Sequence, residues 1–390
     1  MSHRFVQEKY WKYIDEGDAL VASNAAYDDL INLSIGNPDL NTNQKIIDAA
    51  FADASAGHTG YTDFYGDPYG DPELRAEIQK KYRDDYNMDL DLEEILVTAS
   101  GSAAMCTIFA TIVEPGDELI VQAPYFYCYI NQLEIFGGKI VELPTYEEED
   151  FQVSPDRLET LITPKTKAII LNTPGNPTGN CLTVETMEKI AEIAEKYDIA
   201  VIADDIYTSF SYQHPFVPFA SLPGMRERTF TVNSCSKDYI MCGWRVGNLI
   251  APKEYMPALV NVSKAMMFCA PSISQRAFLH GLRMRKEIQP PVTELFRERL
   301  DYAAKRINET NRLSVTYPPK GSFYLWMNIK ETGLSSAEFC KVALEEAHVK
   351  MIPGNEFGAC GEGYCRIACM VSIEKLGEAF DRLAKLDILN

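Results

Sequence analysis

Through the middle of the chain, short apolar runs alternate with amphipathic helical patterns. Ile95–Thr98 leads into a helical stretch over 102–113, and Glu118–Val121 leads into one over 126–136. Lys139–Leu143 reads as a further strand. Ala168–Leu171 precedes a helix over 184–197, and Ile199–Ala203 and Thr229–Val232 are the next apolar runs. Strand and helix alternating at this spacing predict an α/β domain with a mostly parallel sheet. In such sheets ligands sit beyond the carboxyl ends of the strands. From 272 to 311 the pattern turns helical and rich in Arg, Lys and Glu, which predicts one long connecting helix. Strands at Ser322–Met327 and Tyr364–Ala368, with helices at 336–347 and 373–386, then predict a smaller α+β domain.

Composition narrows the class. A chain of 390 residues has room for two domains, and 46% hydrophobic with 24% charged residues is that of an ordinary globular protein. The net charge of −19 argues against nucleic acid and against anionic membrane surfaces. No apolar run reaches membrane-spanning length, and the charged start Met1–Tyr10 does not read as a secretory signal, so the cytoplasm is the expected compartment. Ten scattered cysteines suit reduced thiols. Cys360, Cys365 and Cys369 lack a CxxC pair and a nearby histidine, and the five histidines form no pair at helical spacing, so no metal is expected.

The candidate chemistry follows the predicted strands. Asn233-Ser-Cys-Ser-Lys237 places a lysine in a small-residue loop, with Arg245 eight residues on. An amine flanked by serine hydroxyls and a guanidinium suits a phosphate-bearing aldehyde, and pyridoxal phosphate (PLP) has that shape. Thr98-Ala-Ser-Gly-Ser102 opens a helix, where free N–H groups make a phosphate cradle; a plain serine cap is the alternative. Asn172-Thr-Pro-Gly-Asn-Pro-Thr-Gly179 is a rigid turn that holds Asn176 at its mouth. Asp204 ends an apolar strand, where a carboxylate is costly unless it meets a cation such as a protonated pyridine, and Tyr207 lies three residues on; a helix cap is again the alternative. Pro124-Tyr-Phe-Tyr127 offers an aromatic face, and Tyr61–Tyr69 is an aromatic loop of the kind that contacts a ligand or a partner subunit; core packing is the default alternative for these rings.

Taken in order, from Ser34-Ile-Gly-Asn-Pro38 to Arg366, these segments resemble the class I/II aminotransferases of PLP fold type I. The resemblance implies a large PLP-binding domain (45–275) with a mostly parallel seven-stranded sheet flanked by helices. An N-terminal arm with part of the small domain (1–44) and a connecting helix with the small C-terminal domain (276–390) complete it. It implies that Lys237 forms the Schiff base, that Asp204 pairs with the pyridinium nitrogen, and that Tyr207 and Asn176 donate to the ring oxygen. By the same likeness Phe126 stacks on the ring, and Ser100, Gly101, Ser102, Ser234 and Arg245 bind the phosphate. Tyr65 reaches the phosphate of the other subunit of a homodimer, Arg366 clamps the substrate carboxylate, and Gly36 lies against the same substrate. The reaction so implied moves an amino group from an L-amino acid to a 2-oxo acid by ping-pong kinetics, in amino acid metabolism and biosynthesis. Asp205 stands where glutamate is common, and Cys235, Asp238, Met241 and Cys242 vary positions around the lysine.

Carbon–sulfur lyases and related enzymes of Cα chemistry share this scaffold and nearly these residues. A non-catalytic PLP-sensing module normally carries a DNA-binding appendage, and no spare helix-turn-helix or basic segment is visible. No GxGxxG follows a first strand, which argues against a Rossmann dehydrogenase. A dicarboxylate substrate would need a second cation, for which Lys264 or Arg276 is a candidate, with a plain surface charge as the alternative for either.

Overall fold

The computed structural model describes residues 5–11, 27–62 and 68–390. Its strands are β1 (Ile31–Asn32), β2 (Ile95–Thr98), β3 (Glu118–Ala123), β4 (Lys139–Pro144), β5 (Thr166–Asn172) and β6 (Ala200–Asp204). The chain continues with β7 (Thr229–Ser234), β8 (Gly247–Ile250), β9 (Tyr324–Asn328), β10 (Val349–Lys350), β11 (Ile352–Pro353) and β12 (Tyr364–Ala368).

Seven of these form one sheet in the order β2-β8-β7-β6-β5-β3-β4. Only β8 runs against its neighbours. This is the mostly parallel α/β sheet that the alternating pattern predicts. Its apolar runs are buried on both faces because helices cover both. Ile169 and Leu171 point into a core with Met187, Ile190 and Ala194 of the helix Val184–Lys196. Ala168 and Ile170, one residue out of phase, join Ala104, Ile108 and Phe109 of the helix Gly101–Ile112 on the other side. Truncating Ile170 to alanine would cost about 2–5 kcal/mol by the lost burial and the cavity left behind.

A three-stranded antiparallel sheet, β11-β12-β9, carries the C-terminal region. Its core joins Leu325, Met327 and Ile367 to Phe339 of the helix Ser336–Ala347 and Phe380 of the helix Ile373–Leu383. β1 pairs in parallel with β10, so the segment at 31–32 belongs to this end of the molecule.

The helical stretch from 272 to 311 is not one helix. It divides at Met284 (φ −97°, ψ 5°) into Ser272–Arg283 and Arg285–Asn308. The first helix is committed to the large-sheet side through Ala277, Phe278 and Leu282. The second buries Leu300, Ala303 and Ile307 in the C-terminal core. Two cores at different angles need two helix axes, and the break supplies the change of direction. β8 also escapes the sequence pattern: it has four residues, opens on glycine and ends before Pro252. Among the described residues no helix is long and apolar enough to cross a membrane.

Candidate active site

The carboxyl ends of the parallel strands and the exposed edge of the small sheet enclose a cavity of about 820 Å³. Gly36, Ser100, Gly101, Ser102, Phe126, Asn176, Asp204, Tyr207, Ser234, Lys237, Arg245 and Arg366 all line it. Residues anticipated from separate stretches of sequence therefore share one space. Tyr65 lies outside the described residues.

Lys237 sits in the short helix Cys235–Asp238 directly after β7. Its Nζ donates to the Gly36 carbonyl at 2.5 Å and lies 3.6 Å from Cys242 Sγ. Ser234 caps that helix, accepting from Ser236 N–H at 3.1 Å, and its hydroxyl meets Ser236 Oγ at 2.8 Å. At the end of β2, Ser100 holds a positive φ of 151°, a conformation costly for a residue with a side chain. Its Oγ accepts from Ala103 N–H at 3.1 Å, so the serine is a helix cap as well as a cavity residue. Arg245, also at positive φ (52°), is exposed and donates to the Cys242 carbonyl at 2.9 Å.

Backbone approaches closely here because glycine allows it. A Cβ on Gly101 would lie 2.9 Å from Ile206 Cδ1, and one on Gly247 would lie 2.5 Å from the Asn233 carbonyl.

Asp204 is buried at the end of β6. The Tyr129 hydroxyl donates to its Oδ2, while Oδ1 has no partner among the described residues. Burial pushes the Asp204 carboxyl up to about 6, and the Tyr129 hydrogen bond works against that rise. Burial and the adjacent carboxylate also raise Tyr129 well above the ordinary phenol range, which keeps it a donor. The neighbouring Asp205 is also raised, first by burial and then by Asp204.

On the opposite wall, Arg366 of β12 is also buried. Its Nη1 donates to Asn176 Oδ1 at 3.0 Å and its Nη2 to the Ser34 carbonyl, while Nε has no partner among the described residues. The guanidinium lies 4.5 Å from the Tyr324 ring and 5.0 Å from the Phe357 ring. Asn176 is itself placed by Asn172, whose Oδ1 accepts from Asn176 N–H and whose Nδ2 donates to the Asp204 carbonyl, each at 2.7 Å.

Tyr324, which lines the cavity, and Tyr129 and Gly247, which lie behind lining residues, were given no role from sequence. Tyr129 falls three residues after Phe126, in the helix Cys128–Ile135 that Phe126 precedes, and its ring reads as core. Tyr324, whose hydroxyl is 3.5 Å from that of Tyr207, reads as an ordinary strand residue. Gly247 closes the stretch Gly243–Gly247 around Arg245 that the sequence marks out, but no role follows for it from sequence. Arg276 does not serve as a substrate cation: it is buried among Asp53, Asp71 and Glu73, at 2.6, 3.1 and 3.1 Å, and does not line the cavity. Lys264 does not line it either; its Nζ is 5.7 Å from the Phe268 ring.

The donor set fits pyridoxal phosphate. It combines an amine, a buried carboxylate oxygen awaiting a cation, a flat aromatic, and serine hydroxyls and N–H groups at the mouth of a 12-residue helix. Fold and site together define an α/β enzyme that handles an anionic, aldehyde-bearing cofactor and a carboxylate substrate.

Comparison with known proteins agrees. Residues 28–383 match the family model for aminotransferase class I and II. The chain is 38% identical to aromatic-amino-acid aminotransferase 2 of Thermococcus litoralis, over 92% of this chain and 91% of that one. It is also 38% identical to the aspartate aminotransferase of Pyrococcus abyssi, over 93% and 92%. The solved aromatic aminotransferase of Pyrococcus horikoshii superposes with a TM-score of 0.88 at 35% identity, covering 94% of this chain and 98% of that one. The chain belongs to the class I and II aminotransferases, and its reaction is PLP-dependent amino-group transfer. The lyase reading is not favoured.

Proposed function

We propose that the protein moves the amino group of an L-amino acid to a 2-oxo acid with the site residues in the following roles. Arg366 takes the substrate α-carboxylate. Its unpartnered Nε and the stacking of Tyr324 and Phe357 leave the guanidinium desolvated and aimed, a setting that strengthens a charge-assisted pair. Bound PLP supplies an aldehyde for the substrate amine and a ring that accepts the electrons left at Cα. Lys237 would provide the amine that anchors the cofactor, and would then take the proton from the substrate Cα as base and give it to the cofactor's C4′ carbon as acid. Its contact with the Gly36 carbonyl places that amine beside the segment that lies against the substrate.

Asp204 meets the ring cation with the oxygen that lacks a partner. Tyr207 and the Asn176 amide donate to the ring oxygen, and Phe126 covers the ring face. Ser100, Gly101, Ser102, Ser234 and Arg245 hold the phosphate, and Ser236 joins them through its hydroxyl bond to Ser234. Tyr65 completes the phosphate site of a second copy, which makes the working unit a homodimer. The protein acts in the cytoplasm, in the biosynthetic side of amino acid metabolism.

The observation that carries this reading is the convergence of Lys237, Asp204 and Arg366 on one cavity, the last two each with an unpartnered polar atom. The test is the visible absorption of PLP-loaded protein mixed with single amino acids and no oxo acid. Aspartate and aromatic amino acids head the panel because relatives carry those names, followed by alanine and kynurenine. Conversion of the cofactor to its amine form with about one oxo acid per site is expected. Ammonia or pyruvate accumulating while the cofactor band persists would overturn it.

A further inference from the structure

β6 and β7 lie side by side with Asp204 opposite Val232, and their ladder fixes the strand ends. Just past those ends Asn233 Nδ2 donates to the Asp205 carbonyl at 2.9 Å, and beyond it the turns that carry Tyr207 and Lys237 need a further tie. Asp238 supplies one. It follows Lys237 directly, is 2% exposed, and accepts from Thr208 Oγ1 at 2.6 Å. Its two oxygens also face Ser209 N–H at 3.4 and 3.3 Å. Thr208 and Ser209 follow Tyr207 directly. One carboxylate therefore links the residue after the amine to the residues after the phenol.

The other ties on these turns lead elsewhere. Thr293 Oγ1 of the helix Arg285–Asn308 donates to the Ser209 carbonyl at 3.1 Å, and Ser322 N–H donates to the Phe210 carbonyl at 2.8 Å. The Lys237 turn is held by the Ser234 cap and by Met241 N–H on the Ser236 carbonyl at 3.1 Å. Among the described residues, no hydrogen bond other than those of Asp238 joins residues 206–211 to residues 234–241.

We propose that Asp238 is a positioning residue for amino-group transfer, setting the spacing between the Lys237 amine and the Tyr207 hydroxyl across the cofactor site. The proposal rests on the roles given to Lys237 and Tyr207 above. An ionised carboxylate is acceptor-only, which suits two donors converging on it. The charged and titratable groups around it are Lys81, Tyr82, Tyr86, Asp205, Tyr212 and Tyr239. Burial pushes the Asp238 carboxyl up to about 6, and the Thr208 hydrogen bond and the Lys81 charge hold it from rising further. Lys81 is the one cation in that set and is itself fixed, 2.7 Å from the Tyr86 hydroxyl and 3.3 Å from Asp85.

The test uses PLP-loaded Asp238→Ala, Asp238→Asn and Thr208→Val. Thr208→Val removes only the hydroxyl, and it carries the test if Asp238→Ala does not fold. Asp238→Ala is expected to lower kcat roughly tenfold or more with KM within about twofold. Thr208→Val should act in the same direction, and the double variant Asp238→Ala/Thr208→Val should be no worse than Asp238→Ala, as for two ends of one contact. Asp238→Asn, which keeps an acceptor oxygen, should recover most of the rate. Without substrate, the pH midpoint of the visible cofactor band should move by about half a unit in Asp238→Ala and Thr208→Val. Variants that melt earlier yet keep the wild-type kcat and midpoint would overturn the positioning role. A PLP-loaded wild-type protein that shows no lysine-bound cofactor band at any pH would instead overturn the reading of Lys237.

Discussion

The two walls of the cavity hold their buried charges by different means. On the large-sheet wall, Asp204 is part of a strand, paired through its backbone on both sides and aimed by the Tyr129 hydroxyl. On the small-sheet wall, Arg366 has its strand too, but its guanidinium is placed by groups from two distant loops, Ser34 and Asn176. Ser34 stays there because Leu33 is pinned on both sides. Its N–H donates to the Lys350 carbonyl at 2.8 Å, and its carbonyl accepts from Ala368 N–H at 2.8 Å. One charge is fixed by the sheet and the other by the docking of the N-terminal segment. Cofactor groups on the rigid wall should therefore govern rate, and groups on the assembled wall should govern substrate affinity.

The sharpest break of that comparison is Lys237→Ala. Turnover should fall by at least about 10³-fold, with the melting temperature of the cofactor-free protein nearly unchanged. Retained turnover in single-turnover assays would remove the lysine from the chemistry.

Next in size is Asp204→Asn, expected to cut kcat about 10²-fold while leaving KM for the amino acid within a few-fold. The same variant has an opposite effect on stability. In the cofactor-free native state the Asp204 carboxyl keeps its proton up to about pH 6, against 3.8 ordinarily. The native state then binds the proton more tightly than the unfolded chain, so wild type loses stability as pH rises from about 4 through 6. At pH 7 the asparagine variant should melt higher, by an equivalent of at most roughly 3 kcal/mol, and the gap should close near pH 4. Thermal melts by circular dichroism at the two pH values measure it.

Arg366→Lys tests the assembled wall. An ammonium cannot reproduce the fork that meets Asn176, Ser34 and a carboxylate together, so KM should rise about 10- to 100-fold with a smaller change in kcat. A loss confined to kcat would show that both walls act on the rate. The smallest effect expected is that of Tyr129→Phe. It removes the Tyr129 hydrogen bond to the Asp204 side chain, which should raise that carboxyl further and slow kcat by roughly three- to tenfold. Stopped-flow absorption of the half-reaction would resolve it.

Much of this site was legible in the sequence because its residues sit where strand patterns end. Ser100, Asn176, Asp204 and Lys237 each stand within a few residues of an apolar run, and sheet topology brings such positions to one edge. The parts played by Tyr129, Tyr324 and Gly247 were not legible. Their roles depend on what lies opposite them: Asp204 for Tyr129, Tyr207 for Tyr324, and the Asn233 carbonyl for Gly247. Apolar patterning records burial but carries no record of which group faces a buried hydroxyl. The division of the 272–311 stretch was hidden for a related reason, since charge and periodicity run through Met284 without a break.

Sequence by itself determined the alternation of strands and helices, the location of the chemistry at strand ends, and the family likeness through its ordered motifs. These depend on local spacing, which the chain carries whatever its path. Tertiary structure alone decided that Arg366 answers to Ser34 and Asn176, that Arg276 is spent on Asp53, Asp71 and Glu73, and that Asp238 reaches across to Thr208. Each is a contact between residues brought together by the packing of separate elements. Hydrogen bonds and ion pairs of that kind act over about 3 Å in space, and no spacing along the chain encodes them.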